Sequence, residues 1–169
     1  LRMMKSLDAP HYDGHRTTWS PTSDIVNMIQ DTLVALDWDG KTVIPYLAKS
    51  WSVSEDGKTY TFKLRDDVQF CSGKKFTSAD VVYSFNRLLD PATKAPLKWR
   101  AGNIKELRAP DPYTVEYELN EPFADLMMNL VSFTMAIHNK ESVEKHGKDY
   151  GTQGGDGTGP WCFVSWQPR

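Results

Sequence analysis

PYLAKSWSVSEDGKTYTFKLRDDVQFCSGKKFTSADVVYSFNRLL, residues 45–89, holds two strand-like runs, a turn, a loop and a capped helix in one unbroken block. Trp51 and Val53 alternate with Ser52 and Ser54, and Tyr60, Phe62 and Leu64 alternate with Thr59, Thr61 and Lys63. A period of two belongs to strands with one buried face. Asp56-Gly57 between the runs supplies a hairpin turn, because glycine takes positive φ without steric cost and aspartate bonds its own backbone. Thr77 and Asp80 have the spacing of a capping box, just ahead of Val81, Val82, Phe85, Leu88 and Leu89 at helical intervals. The block reads as a β-hairpin followed by an amphipathic helix.

Upstream of it, Leu1–Lys5 reads as a short strand, and residues 6–20 form a loop broken by Pro10 and Gly14 and dense in His, Tyr and Asp. Long polar connections of this kind are uncommon inside compact domains and often functional. Ser20-Pro21-Thr22-Ser23-Asp24 opens a helix with Ile25, Met28, Ile29 and Leu33 along one stripe, ending near Leu33. Val34, Leu36 and Trp38 then alternate toward an Asp39-Gly40 turn. Downstream, Asp90-Pro91 stops the Thr77 helix, since proline disfavours the helical region for its predecessor. Residues 92–103 are irregular and carry Pro96 and Trp99. A second hairpin runs from Ile104–Ala109 through Pro110-Asp111-Pro112 to Val115, Tyr117 and Leu119. Glu121-Pro122 begins a short helix through Leu126, Met127 and Leu130, Phe133–Ile137 reads as a buried strand, and Lys140–His146 as a polar helix. The glycine-rich stretch Gly147–Gly159 is a loop or hinge before a last strand at Trp161, Phe163, Val164 and Trp166.

Composition sets the bounds. In 169 residues, 40% are apolar, enough for a sizeable core. Twenty basic against 22 acidic residues leave a net charge of -2, which gives no electrostatic case for nucleic acid or an anionic membrane surface. No apolar run approaches the roughly 20 residues of a membrane span, and the expectation is that a signal peptide has been removed. Cys71 and Cys162 are either free and buried or paired; the residues alone do not choose.

Candidate chemistry is sparse. His11 and His15 lie four residues apart with Asp8 and Asp13 beside them, but a metal site would need a helix there, and Pro10 and Gly14 oppose one. They read as loop histidines, solvated or facing a ligand. The run Gly154-Gly155-Asp156-Gly157-Thr158-Gly159 lacks the Gly-Lys-Ser/Thr ending and the following helix of a phosphate-binding loop. There is no nucleophile elbow, and Glu106, Glu116 and Glu118 lie on alternating strand positions that face solvent. Trp99, in an irregular polar stretch, either packs as a lid on the Thr77 helix or faces a ligand.

Several longer stretches carry a resemblance. Residues 45–51 (PYLAKSW), 54–65 (SEDGKTYTFKLR), Phe70 and 73–84 (GKKFTSADVVYS), with Asp111–Val115, Glu121–Phe123 and Gly157-Thr158-Gly159-Pro160-Trp161 in the same order, resemble the dipeptide- and oligopeptide-binding class, family 5, of ABC-importer extracellular solute-binding proteins. Cys71-Ser72 departs from the polar pair usual in that class and leaves an unexpected thiol. The resemblance implies a mixed α/β, periplasmic-binding-protein-like fold: an incomplete first lobe with a smaller inserted α/β subdomain built on antiparallel hairpins. Residues 1–35 would start the first lobe, 36–150 form the subdomain and 151–169 return to the lobe, the second lobe being absent from this N-terminal portion.

It also implies a non-enzymatic receptor that captures di- or oligopeptides and delivers them to the permease of an ABC importer, as a monomer without cofactor or metal. The receptor would be periplasmic or lipid-anchored outside the cytoplasm. His11, Tyr12 and Asp13 correspond to a ligand-facing loop, Trp99 to an aromatic offered to the cleft, and Ser132, Phe133 and Thr134 to a strand approaching it. The same scaffold suits nickel chelates, haem, sugars or opines. A reading of another class is a small hydrolase built on His11, Asp13 and His15.

Overall fold

The computed structural model describes residues 9–167, so the strand expected at Leu1–Lys5 lies outside the described residues. A 3-10 turn at Gly14–Arg16 precedes α1 (Ser20–Ile29), and β1 (Val34–Leu36) pairs antiparallel with β2 (Val43–Pro45). Then come β3 (Ala48–Val53), β4 (Thr59–Leu64), α2 (Ser78–Leu89), β5 (Ile104–Asp111) and β6 (Thr114–Leu119), with α3 (Leu126–Leu130) and α4 (Lys140–His146) closing the series.

The two hairpins read from the sequence join into one antiparallel sheet of order β3-β4-β6-β5. β4 lies inside it, with Phe62 opposite Trp51 on one side and Val115 on the other. Gly57 turns the first hairpin at φ 69°, and Asp56 accepts from Ser54 Oγ and from the Lys58 amide. Tyr60, Phe62 and Leu64 are buried with Val115, Tyr117 and Leu119, while Thr61, Lys63, Glu116 and Glu118 between them retain access to solvent. On the open face Arg108 donates to Glu106, Glu116 and Glu118, and Lys105 to Glu118.

The apolar stripe of α2 supplies Val81, Phe85 and Leu88 to the core. Phe85 meets Tyr117 edge-on, ring centroids 5.2 Å apart, and Tyr117 sends its hydroxyl to the Ala101 carbonyl, leaving no unpaired polar atom on that buried ring. Thr77 caps the helix as expected, its amide donating to Asp80 Oδ2 at 3.0 Å, and Lys74 pairs with the same carboxylate. Ser78 fastens the first turn to the β5–β6 turn through the carbonyls of Asp111 and Pro112.

Four elements differ from the sequence reading. α1 stops at Ile29 rather than near Leu33, because the chain leaves helical geometry at Gln30 and the carbonyls of Thr32 and Leu33 go to the amides of Leu47 and Ala48. The helix expected from Glu121 begins only at Leu126. Residues Phe133–Met135 are a 3-10 turn, not a strand, with Ser132 accepting at its N-cap; an apolar run this short fixes burial but not period. No strand forms at residues 161–166, where the Trp161 amide goes to the Met28 carbonyl.

Cys71 and Cys162 form a disulfide, so the loop before α2 carries no free thiol. The glycine-rich stretch is packed rather than loose: a Cβ on Gly157 would stand 1.7 Å from the Ile29 carbonyl oxygen. Glycine is needed there for close approach of two backbones.

Candidate functional site

The loop after residue 9 is held by a polar hub inside the protein. Asp13 is fully buried, and Arg87 from α2 grips both its oxygens, Nη1 to Oδ1 at 3.1 Å and Nη2 to Oδ2 at 2.5 Å. Arg87 sits on the helix flank opposite the apolar stripe, one turn from the C-terminus, which is why it reaches the loop while Phe85 and Leu88 enter the core. The same Nη1 lies 3.0 Å from His15 Nδ1, and His15 Nε2 lies 3.0 Å from the Ala136 carbonyl. The guanidinium can only donate, so His15 carries its proton on Nε2.

Burial, and then the Arg87 charge, push His15 down to about 4, with Asp13 opposing. His138 packs edge-on against His15, ring centroids 4.1 Å apart, and desolvation drives it well below the usual histidine range. Its Nδ1 lies 2.8 Å from Tyr150 Oη, which also accepts from Gln30 Nε2 at 3.0 Å. Burial raises the Tyr150 phenol, so it stays protonated and donates to His138.

Around this hub the side chains expected to meet a ligand fall into two groups. Tyr12 and His11 are half-buried on the outer side of the loop. Tyr12 places its ring 6.3 Å from Phe163 and 6.4 Å from Trp166, while its amide donates to the Gly151 carbonyl. Trp99 rides on a 3-10 turn, Lys98–Ala101, and is 59% exposed. It walls an open cavity of about 380 Å³ with Gly102, Asn103, Glu121, Pro122 and Phe123. Ser132 and Phe133 keep partial exposure, and Arg100 Nη1 donates to Ser132 Oγ at 2.9 Å, which ties the Trp99 turn to the 132–134 segment.

Asp13 and Thr134 belong to the second group: both are buried, Asp13 committed to Arg87 and Thr134 bonded to Ser132. His15, read as a solvated or ligand-facing loop histidine, is instead enclosed, with both nitrogens engaged. That geometry withdraws the support for a hydrolase on His11, Asp13 and His15, since the pair that would act as base and orienter has no access to a substrate. The described residues hold no cluster of His, Cys, Asp or Glu that could bind a metal ion.

Sequence reasoning missed Arg87, Arg100, His138 and Tyr150. Only Arg87 left a signal, as a lone basic residue on the polar flank of an otherwise well-patterned helix. The hub joins positions more than 100 residues apart, such as His15 with Ala136 and Gln30 with Tyr150, and periodicity does not register such pairings.

The four-stranded antiparallel sheet backed by a helix, with loops from distant parts of the chain gathered beside it, matches periplasmic-binding-protein-like substrate-binding folds. Residues 42–169 match the bacterial extracellular solute-binding proteins, family 5 Middle, and the chain belongs to this family. It is 38% identical over 120 residues to the glutathione-binding protein GsiB of Shigella boydii, a match covering 71% of this chain and 23% of that protein. The substrate-binding domain of an oligopeptide ABC transporter from Bacillus anthracis superposes with a TM-score of 0.91 at 29% identity, covering 98% of this chain and 35% of that one. The structure of AgaA from A. tumefaciens R10 in complex with agropinic acid gives 0.88 at 29% identity, covering 95% and 32%. The chain thus spans about a quarter of the length of the curated relatives it matches. Among the described residues, no helix is long and apolar enough to cross a membrane.

Proposed function

We propose that this chain is part of an extracytoplasmic receptor that captures di- or oligopeptides and hands them to the permease of an ABC importer, acting as a monomer, periplasmic or lipid-anchored. The observation that carries the reading is convergence: the His11–Tyr12 loop, the Ser132–Phe133 segment and the Trp99 turn, far apart in sequence, are drawn together by His15–Ala136 and Arg100–Ser132 contacts beside a packed sheet. Half-buried aromatics on such a face suit ligands whose side chains vary. Membership of family 5 and the likeness to a glutathione-binding and an oligopeptide-transporter protein support peptide as the ligand class. Likeness to a protein holding agropinic acid supports an opine as the second reading. The division into residues 1–35 and 151–169 as first-lobe segments and 36–150 as an inserted subdomain belongs to the same proposal.

Thermal unfolding of the full chain with a peptide panel tests it. A ligand that binds only the folded state stabilises it by about 2.7 kcal/mol at a hundred times its Kd, which shifts the melting temperature by several degrees. No shift with any peptide, against a clear shift with an opine, overturns the peptide reading.

A further inference from the structure

We propose that the Cys71–Cys162 bridge is a thiol-exchange site, opened in the folded protein by small zwitterionic thiols such as free cysteine or short cysteine peptides, which remain attached as a mixed disulfide. The proposal stands apart from the solute-binding reading above.

Both cysteines are exposed, although the bridge joins positions 91 residues apart. They open on a cavity of about 460 Å³, walled by Glu141 and Lys145 from α4 and by Phe163. A disulfide is cut by a thiolate that reaches one of its sulfurs, so an enclosed bridge waits for unfolding, whereas one beside an open cavity does not. Opening this bridge also leaves its surroundings joined. The Cys71 amide keeps the Gly157 carbonyl, and Asp156 keeps the Ser72 amide, Ser72 Oγ and Asn139 Nδ2. An adduct on Cys162 stands next to Phe163, whose ring packs 6.3 Å from that of Tyr12.

The same cavity selects among thiols. Glu141 and Lys145 stand one turn apart on α4, and among the described residues neither pairs with the other or with any other charge. On the same helix Lys140 and Glu144 do pair, at 3.8 Å. A carboxylate and an ammonium left open side by side complement the amine and carboxylate of a zwitterion. Asp156, the other acid in the cavity wall, is already engaged by Ser72 and Asn139.

The step balances without an outside oxidant. The incoming thiol loses its proton to water, and its sulfur forms a bond to one cysteine sulfur as the Cys71–Cys162 bond breaks. The electron pair of that bond leaves on the other cysteine as a thiolate, which takes up a proton. The thiol sulfur is oxidised and one cysteine is reduced.

Loss of the bridge and gain of the adduct are followed by intact mass after acid quench, on the full chain with cysteine and with the uncharged thiol 2-mercaptoethanol. Cys71→Ser/Cys162→Ser is the blank. Dividing each rate by the same thiol's rate on the urea-unfolded chain removes the thiol's own reactivity. Exchange is expected under native conditions, changing by less than about twofold when about 1 M urea is added; exchange through global unfolding would rise about thirtyfold over that step. The normalised rate for cysteine should exceed that for 2-mercaptoethanol about two- to fivefold, the worth of an exposed ion pair. Lys145→Gln and Glu141→Gln each lower that advantage and leave the rate for 2-mercaptoethanol unchanged, urea midpoints establishing that both variants fold. No exchange without unfolding, or a rate that climbs with urea as unfolding does, overturns the site. Equal normalised rates for the two thiols, or a cysteine advantage that survives both substitutions, overturns the assignment of zwitterionic thiols.

Discussion

Removing the Cys71–Cys162 bridge should destabilise the protein substantially while leaving its native contacts in place. The bridged residues are 91 apart in sequence. Closing a loop of that length removes chain entropy from the unfolded ensemble worth about 4.6 kcal/mol at 25 °C. With a urea dependence of about 2 kcal/mol per molar for a domain of this size, the midpoint should fall by about 2 M. The native join does not depend on sulfur alone. The Cys71 amide donates to the Gly157 carbonyl at 2.9 Å, and Asp156 accepts from Ser72 Oγ, the Ser72 amide and Asn139 Nδ2. The double variant Cys71→Ser/Cys162→Ser is therefore expected to fold to the same structure with a lower midpoint. The assay is urea unfolding followed by tryptophan fluorescence, on wild type with and without dithiothreitol and on the double variant. A loss below about 1 kcal/mol in both reduced wild type and variant would refute the reasoning, because the bridge would then restrict an unfolded chain that was already restricted.

Acid should unfold the protein through its buried histidines. His15 sits at about 4 in the fold, below the ordinary histidine value of 6.5, so its stabilising contribution is complete above 6.5 and disappears as pH falls from 6.5 to 4. The loss reaches about 3 kcal/mol for His15 alone, with His138 adding in the same direction. Melting of His15→Gln, compared with wild type across that range, should show a slope shallower by up to one proton. Arg87→Met should cost about 3 kcal/mol by leaving the buried Asp13 carboxylate with only Arg16, 4.0 Å away, as a charged partner, and Asp13→Asn combined with it should recover part of that loss; chemical denaturation of the single and the double variant reads both effects. Gly157→Ala should not fold to the native join at all, given the 1.7 Å approach to the Ile29 carbonyl oxygen, and should lower both the yield of folded protein and its melting temperature.

The sequence disclosed the elements whose signals are local. Alternation in residues 51–64, the capped stripe from Thr77 and the turn residues at Gly57 and Asp111 are consequences of neighbours along the chain, and the sheet and α2 follow them. Failures came where a long-range contact decides. Phe133–Met135 has the composition of a buried strand, but Ser132 caps a turn there, and Ile137 donates its amide to the Asp31 carbonyl. Trp161–Trp166 has strand alternation, but the Trp161 amide is taken by the Met28 carbonyl and no strand forms. The candidate site was legible only in outline: Tyr12, Trp99, Ser132 and Phe133 keep exposure, whereas Asp13, His15 and Thr134 are buried. A polar residue in a loop gives no sign of its own depth until an arginine on another element is known to reach it.

Arg87 also changes what residues 45–89 do. Judged by pattern, that block is scaffold: a hairpin and a helix whose apolar faces build the core. Yet the helix that seals the core with Phe85 also presents Arg87 on its other flank, and that one guanidinium holds Asp13 and His15 together. His15 in turn fixes Ala136, and the loop carries Tyr12 outward on its far side. The orientation of the loop that carries Tyr12 is thus set from the most strongly patterned part of the chain through a buried ion pair. An ion pair rather than an apolar contact has a physical consequence: its geometry is directional, so the loop is held in one orientation rather than merely kept close. Since a binding face gains affinity by losing little freedom when the ligand arrives, the contribution of α2 under the proposed receptor reading is pre-organisation of the loop that carries Tyr12.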